Sequence, residues 1–359
     1  MKVLYISASV LPSPTADSVH VMNMCAALAK NGNDVTLFGI EGDGKDIFDY
    51  YSVSPVFQIK TVPGGKKNFA KRVMKIIRLS KKTDVVYTRY IIGAAISRVL
   101  LGKKVIYEYH LVMDRFYNIA LEWILSKCSG VRHVFITQSL KDKYVEKNKN
   151  LRKADCLVLS DCANDPEISI EKYNRAHLSC GYIGSFLPGK GIEVVVELAK
   201  RFPDNEFHII GGTEEQIKNL QKEGTANIIW YGYKKQKEAM ELLYKKVDVA
   251  LLPNQNKVLV ASGRHKSADI GNYTSPMKLF EYMSYGKAII ASRLPVLEEV
   301  VTDQKNALLV TCDNTDEWAS AFQKLQNDNE LFNRLRMKAH EDFVCNYTWE
   351  NRAKRALKP

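Results

Sequence analysis

Residues 275–292 read SPMKLFEYMSYGKAIIAS. Pro276 behind Ser275 has the form of a first-turn proline after a capping hydroxyl, and Gly286 closes the helix that follows. Ala288-Ile289-Ile290-Ala291 then reads as a strand buried on both faces, which is the mark of a parallel sheet covered by helices. Lys278 and Glu281 are charges that such a unit does not need. They lie three apart on one helix face, so either they form a surface ion pair worth well under ~1 kcal/mol or they serve a ligand.

The same alternation extends in both directions. Apolar, β-branched runs predict strands near Val3–Ser7, Asp34–Ile40, Val56–Thr61, Asp84–Thr88, Val105–Tyr109, Val134–Thr137 and Cys156–Leu159. Helices lie between most of them, Ser18–Asn31 most clearly, stopped by Gly32. A polar stretch, Cys162–His177, has little periodicity and reads as a linker. The pattern restarts with strands near Cys180–Ile183, Glu206–Ile210, Ile228–Tyr231, Val247–Leu252, Ala288–Ser292 and Ala307–Val310. Helices are expected over Gly191–Arg201, Lys234–Lys245 and Thr315–Asn327. The chain is therefore an α/β protein of two successive Rossmann-like halves, with no sequence repeat between them. Asn254–Thr274 shows neither period, and loops of that length tend to be functional.

With 359 residues, 46% hydrophobic and 26% charged, each half is long enough to bury its own core. Seven scattered cysteines without a C-x-x-C pair argue against a disulfide framework or a zinc knuckle. No signal peptide is visible, and Tyr90–Leu101 is too short to span a bilayer. The expected location is cytoplasmic, with a peripheral position on the inner membrane face left open. The net charge of +12 asks for an anionic partner. Nine bases and no acid lie between Lys60 and Lys82, while Phe69, Val73, Ile76 and Ile77 share one helical face. Phe69 to Ser80 is either an ordinary solvated helix or one that lies on anionic lipid headgroups. Few aromatics interleave with the bases and no nucleic-acid motif appears, so no nucleic-acid partner is expected.

In open parallel sheets, ligands bind at the carboxyl ends of strands. After the first strand come Pro14, Thr15, Ala16 and Asp17, leading into a helix whose amides would be placed to face an anion. After the fifth comes Glu108-Tyr109-His110, where His110 is either a structural histidine or, at a strand end, a functional one. The second half opens with Gly184-Ser185-Phe186-Leu187-Pro188-Gly189-Lys190-Gly191 before a helix. Glycines permit close backbone approach and a lysine adds a cation to the helix dipole, a combination suited to a diphosphate. It is neither a dinucleotide fingerprint nor a Walker A loop, and a solvated lysine is the plain alternative for Lys190. With no D-x-D and no histidine pair at ligand spacing, no metal is assigned.

Gly181-Tyr182-Ile183-Gly184-Ser185 followed by Lys190-Gly191-Ile192-Glu193 resembles the donor-domain opening of family 4 retaining glycosyltransferases. Phe207–Gly212, Ile228–Tyr233 and Asp248–Pro253 look like the next strands of that family. Glu281-Tyr282-Met283 with Gly286–Ser292 is similar to the second half of its E-x7-E motif, and Glu298-Glu299-Val300 to the sequel. Val19–Val35 looks like the family's first helix and second strand, and Tyr347-Thr348-Trp349 like its last aromatic turn.

The resemblance implies the GT-B fold, two Rossmann-like domains facing each other across a cleft. Residues 1–165 would form the acceptor side, 178–338 the donor domain, and 339–359 a helix crossing back. It implies a retaining, metal-independent transfer from a nucleotide-sugar donor, UDP- foremost, to a glycan or lipid-linked acceptor in surface-glycan synthesis. No cofactor is implied. Lys190 would hold the diphosphate, Glu281 the ribose hydroxyls, and His110 the transferred sugar. Gly184, Ser185, Tyr233, Arg264, Ser275, Pro276, Met277 and Lys278 complete the implied donor site. Three departures stand out. The first glutamate of E-x7-E is Tyr273, the arginine that often pairs with the lysine is Ser185, and the first-loop glycine pair is replaced near Ala16-Asp17. Lys278 then becomes a candidate phosphate or sugar ligand. An epimerase of the same fold and an inactive scaffold subunit are the rival readings.

Overall fold

The computed structural model describes residues 1–222, 225–259 and 269–358 of the chain. It divides into two compact units, Met1–Asp161 with the chain's end from Trp349, and Cys162–Thr348.

The first unit carries strands β1 (Lys2–Leu11), β2 (Asp34–Glu41), β3 (Gln58–Val62), β4 (Val85–Thr88), β5 (Lys104–Tyr109), β6 (Val131–Phe135) and β7 (Asp155–Val158). Its helices are α1 (Ala16–Lys30), α2 (Ile47–Tyr51), α3 (Phe69–Ser80), α4 (Ile91–Ala95), α5 (Phe116–Ser126) and α6 (Gln138–Lys147). A wider helical turn, Ile96–Leu100, extends α4. The strands pair in parallel in the order β3-β2-β1-β4-β5-β6-β7. The second unit holds β8 (Cys180–Ile183), β9 (Phe207–Ile210), β10 (Ile228–Gly232), β11 (Val249–Leu252), β12 (Ala288–Ser292) and β13 (Leu308–Val310). Between and after them come α7 (Ile192–Arg201), α8 (Glu214–Gln221), α9 (Gln236–Lys246), α10 (Met277–Ser284), α11 (Pro295–Glu298), α12 (Thr315–Asn327) and α13 (Asn329–Asn346). Its order is β10-β9-β8-β11-β12-β13, again parallel. The last helix, α14 (Trp349–Leu357), belongs to the first unit and packs on α1.

Alternation along the strands builds the second core. Tyr182, Ile209, Leu251 and Ile290 face one layer with Val195, Leu198, Trp318 and Phe322. Ile183, Ile210, Leu252 and Ile289 face the other with Leu243, Phe280, Tyr282 and Phe343. Every residue of β12 is buried, as a strand covered by helices on both sides requires. One local expectation is corrected. Pro276 itself takes the cap position of α10, and no side chain caps the helix there. Pro276 is itself extended, at ψ 114°, so the helix starts one residue later, at Met277.

The polar segment after Asp161 is not a free tether. The Tyr173 hydroxyl donates to Asp248 Oδ1 at 2.7 Å, and Arg175 Nη1 lies 3.2 Å from Oδ2. Asn333 brackets Tyr173 through both of its backbone groups, and the Arg336 guanidinium sits 4.5 Å from the Tyr173 ring centre. The segment thus packs on the second unit. Residues 339–346 likewise continue α13 instead of starting the returning helix.

Asp248 also accepts from the amide and hydroxyl of Ser179. Losing this buried acceptor strands the Ser179 amide and the Tyr173 hydroxyl, so Asp248→Ala is expected to lower unfolding stability by about 2–3 kcal/mol. It should also speed limited proteolysis between residues 163 and 177. A digestion rate equal to wild type would show that the strap is held by other contacts.

Candidate functional site

The strand order of the second unit reverses direction between β8 and β11, and a crevice opens at such a switch point. The glycine-rich loop leaves β8 there. The Tyr182 hydroxyl donates to Ser185 O at 2.8 Å and bends the chain away from the strand. Gly189 and Gly191 both adopt left-handed backbone, at φ 87° and 73°. A Cβ on Gly189 would stand 1.9 Å from Lys257 O, and one on Gly191 2.0 Å from Pro253 O. Only glycine lets this loop lie against the segment after β11, where Gln255 N donates to Gly189 O at 2.9 Å. Gly191 caps α7 without a side chain, which leaves the first amides of that helix unfilled by a capping oxygen. Lys190 stands beside them, half-buried, and burial pulls its ammonium below the usual lysine range. Among the described residues no carboxylate pairs with it. A cation next to open helix amides is a site for a polyanion.

The Tyr282 hydroxyl anchors α10 by accepting the Ile183 amide at 3.0 Å. Glu281 lies one turn into α10 and is buried. Gln236 Nε2 donates to its Oε1 at 2.7 Å, and Lys278 Nζ lies 2.7 Å from Oε2. Oε2 is thus held by an ion contact and by no further hydrogen bond. Asn254 Nδ2, at the end of β11, is buried without a partner. A buried donor left open after β11, near an acid whose one partner on Oε2 is a movable lysine, suits a polar ligand. Lys278 therefore touches Glu281 in this state. Tyr273 is buried and its hydroxyl donates to Asp269 O at 2.7 Å, so this position serves the loop's own packing.

Of the other expected residues, Ser185 and Tyr233 are exposed, Ser275 is buried, and Pro276 and Met277 form the start of α10. Gly184 lies against the turn after β9, its carbonyl close to Gly211. Arg264 lies outside the described residues. Gln236 was not foreseen, because nothing in the sequence ties the first turn of α9 to α10.

The first unit reverses between β1 and β4. The Pro14–Asp17 loop follows β1. Asp17 Oδ2 accepts from Ser9 Oγ at 2.6 Å, and Arg89 Nη1, after β4, donates to Asp17 O at 3.4 Å. Burial raises the Asp17 carboxyl, but Ser9, Thr15 and Arg89 together outweigh it and hold it below the usual range.

Behind this loop lies a charged cluster. Glu108 is completely enclosed at the end of β5. Its Oε2 lies 2.9 Å from Arg352 Nη1 of α14 and accepts from the Tyr87 hydroxyl. Its Oε1 meets His110 Nε2 and lies 2.9 Å from His20 Nε2, while His20 Nδ1 meets Asp161 Oδ1 at 2.9 Å. Burial opposes the Glu108 charge, yet Arg352, His20 and His110 hold its carboxyl well below the usual range. Burial, aided by Arg89, lowers His110 to about 4. An ionised Glu108 only accepts, so His110 Nε2–H donates to it and Nδ1 is left as an acceptor for a hydroxyl. His20, Glu108 and His110 hold ligand atoms within 4.8 Å of one another, close enough for one cation. Arg352 already balances their single carboxylate, to which His110 is hydrogen-bonded while His20 stands in close contact and bonds Asp161. Arg89, His20 and Arg352 were not singled out from sequence. The strand-end position of Arg89 was the available signal.

Two family models match the chain. "Glycosyltransferase Family 4" covers residues 18–154 and "Glycosyl transferases group 1" residues 174–342. An uncharacterized glycosyltransferase of Methanocaldococcus jannaschii is 28% identical over 50% of this chain and 46% of its own length. The putative teichuronic acid biosynthesis glycosyltransferase TuaH of Bacillus subtilis is 25% identical over 45% of this chain and 38% of its own length. The chain thus spans less than half of these relatives. The fold is similar to that of Anabaena HepE crystallised with UDP, at TM-score 0.73 and 13% identity, over 99% of this chain and 98% of that one.

The His110 environment sets a pH dependence. An unfolded imidazole takes up its proton near 6.5, whereas folded His110 stays neutral down to about 4. The His110 contribution to unfolding free energy should therefore fall as pH drops from 6.5 towards 4, by at most about 3 kcal/mol, while Glu122, raised to about 7 by burial, contributes in the opposite sense over the same range. His133, also lowered to about 4 by burial, contributes in the same window. Relative to wild type, His110→Gln is expected to shift the change in unfolding free energy between pH 6.5 and 4 upward by up to about 3 kcal/mol in denaturant titrations. An unchanged slope would place His110 in water-like surroundings.

Proposed function

Because the chain belongs to the family 4 glycosyltransferases of the GT-B fold, we propose that it moves a sugar, hexosyl or N-acetylhexosaminyl, from a nucleoside-diphosphate donor. UDP- is the favoured donor, since HepE of the same fold was crystallised with UDP. The acceptor is a glycan or lipid-linked saccharide of the cell surface, and α3 rests on the anionic membrane that carries it. The observation that carries the reading is Lys190, a half-buried ammonium without a carboxylate partner among the described residues, beside the open N-terminus of α7.

In this reading the diphosphate lies against the α7 amides and Lys190. The Glu281 carboxylate accepts from the ribose diol, which satisfies Oε2 and frees Lys278 to turn to a phosphate. The reaction is a front-face substitution. The bond between the anomeric carbon and the diphosphate oxygen breaks while the acceptor oxygen bonds on the same face. The acceptor proton passes to the leaving oxygen. Lys190 and the helix amides stabilise the charge that grows on the diphosphate, so the anomeric configuration is retained and neither a protein nucleophile nor a metal is required. His110, neutral at physiological pH, accepts from a hydroxyl of the transferred sugar through Nδ1.

The test is thermal shift with UDP-, GDP-, ADP- and dTDP-sugars, followed by turnover of the stabilising donor. Lys190→Ala should cut turnover by about 100-fold or more with the fold intact. Glu281→Ala should chiefly weaken donor binding. Unchanged turnover in both variants would sink the assignment. Conversion of the sugar without an acceptor would indicate an epimerase.

A further inference from the structure

Helix α5 is built the wrong way round for a water-facing surface. Its buried side chains are Asn118, Glu122, Leu125 and Ser126, three of them polar. Its exposed ones include Phe116 at 87%, Ile119 at 49% and Trp123 at 49%. These three are spaced three and seven apart and fall on one stripe, with Tyr117 and Ile124 alongside. An ordinary surface helix shows the reverse arrangement. The inner polar groups are well used. Glu122 Oε1 accepts from the Tyr107 and Tyr144 hydroxyls at 3.2 and 3.1 Å, and Ser126 Oγ accepts from Asn148 Nδ2 at 2.9 Å. The helix is therefore pinned in this orientation, with its apolar face outward.

The patch continues beyond α5. That helix packs on α4, whose wide final turn packs on α3. The turn exposes Val99 and Leu100, and α3 exposes Phe69 and Met74. Lys71, Arg78, Arg115 and Lys127 are exposed on the same helices and their flanks, and Lys127 Nζ stands 3.3 Å from the Trp123 ring centre. From Lys60 to Tyr107 the one acid is Asp84. Apolar tips and aromatic rings rimmed by cations match the boundary between headgroups and acyl chains of an anionic bilayer. A second copy of the chain would set this cationic surface against itself.

We propose that α5 and the Val99–Leu100 turn insert this apolar stripe into an anionic lipid surface, with the basic face of α3 supplying headgroup contacts. The proposal rests on the membrane-surface reading of α3 and assigns the insertion to a different helix.

The full chain is sedimented with sucrose-loaded vesicles of phosphatidylcholine, alone or mixed equally with phosphatidylglycerol. Wild type should partition to the mixed vesicles, less so at high salt, with a blue shift of tryptophan emission. Phe116→Ser/Trp123→Ser should weaken partitioning by about tenfold or more. Trp123→Phe should keep the partitioning and lose most of the shift. Donor turnover with a soluble acceptor reports folding separately and should be unchanged in these variants. Wild-type partitioning by the serine pair overturns the proposal, and if Lys71→Glu/Arg78→Glu then abolishes binding, the α3 reading survives alone. Absence of any wild-type partitioning overturns both, without touching donor turnover. A wild-type dimer that the serine pair dissolves overturns the proposal in favour of a second copy.

Discussion

A carboxylate sealed from water costs several kcal/mol unless charge and hydrogen bonds surround it, and Glu108 is sealed completely. The first unit is organised around meeting that cost. Arg352 reaches Glu108 from α14 and also donates to Leu159 O and Ser160 O at 3.1 and 2.8 Å. The last strand-end residues before Asp161 and the returning helix are thereby tied at one guanidinium. Trp349 packs its ring on His20, and His20 bridges Glu108 and Asp161. The same carboxylate orients His110. The end of the chain and the candidate catalytic histidine thus share one electrostatic support.

The second unit depends on a backbone constraint in place of a charge. Gly189 and Gly191 let the loop after β8 lie on the carbonyls of Lys257 and Pro253. A tighter loop turns the N-terminus of α7 and Lys190 towards the switch point, where a side chain at either glycine would hold them off. Nearby chemistry is left unfinished, with Asn254 Nδ2 lacking a hydrogen bond and Glu281 Oε2 met only by the Lys278 ammonium. Buried polar atoms are rarely left so, and a ligand that supplies hydroxyls and acceptors would complete them.

The apolar face of α5 follows from the same logic applied outward. Its inward positions are taken by side chains that bond to Tyr107, Tyr144 and Asn148, so the rings have no room within the unit. Sequence periodicity marks α3 as the amphipathic helix, and burial modifies that reading. Of its apolar residues only Ile76 is deeply buried, while Phe69 and Met74 are exposed.

The sequence by itself determined the class of fold, because strands covered on both faces leave continuous apolar runs and helices leave a 3.6-residue period. All thirteen expected strands form, and β12 and α12 match their expected bounds to the residue. It also marked Lys190 and Glu281, since a lysine after a glycine loop and an acid early in a helix are local patterns. What only the tertiary structure decided are pairings between residues far apart in the chain. Arg352 lies 244 positions from Glu108 and Gln236 lies 45 from Glu281, separations at which no local period carries information. The contact of Lys278 with Glu281 likewise came from geometry, which sets its ammonium 2.7 Å from the carboxylate. Side-chain direction decided α5 too. Composition makes that helix apolar, but only packing against β5 and β6 determines which of its faces meets solvent.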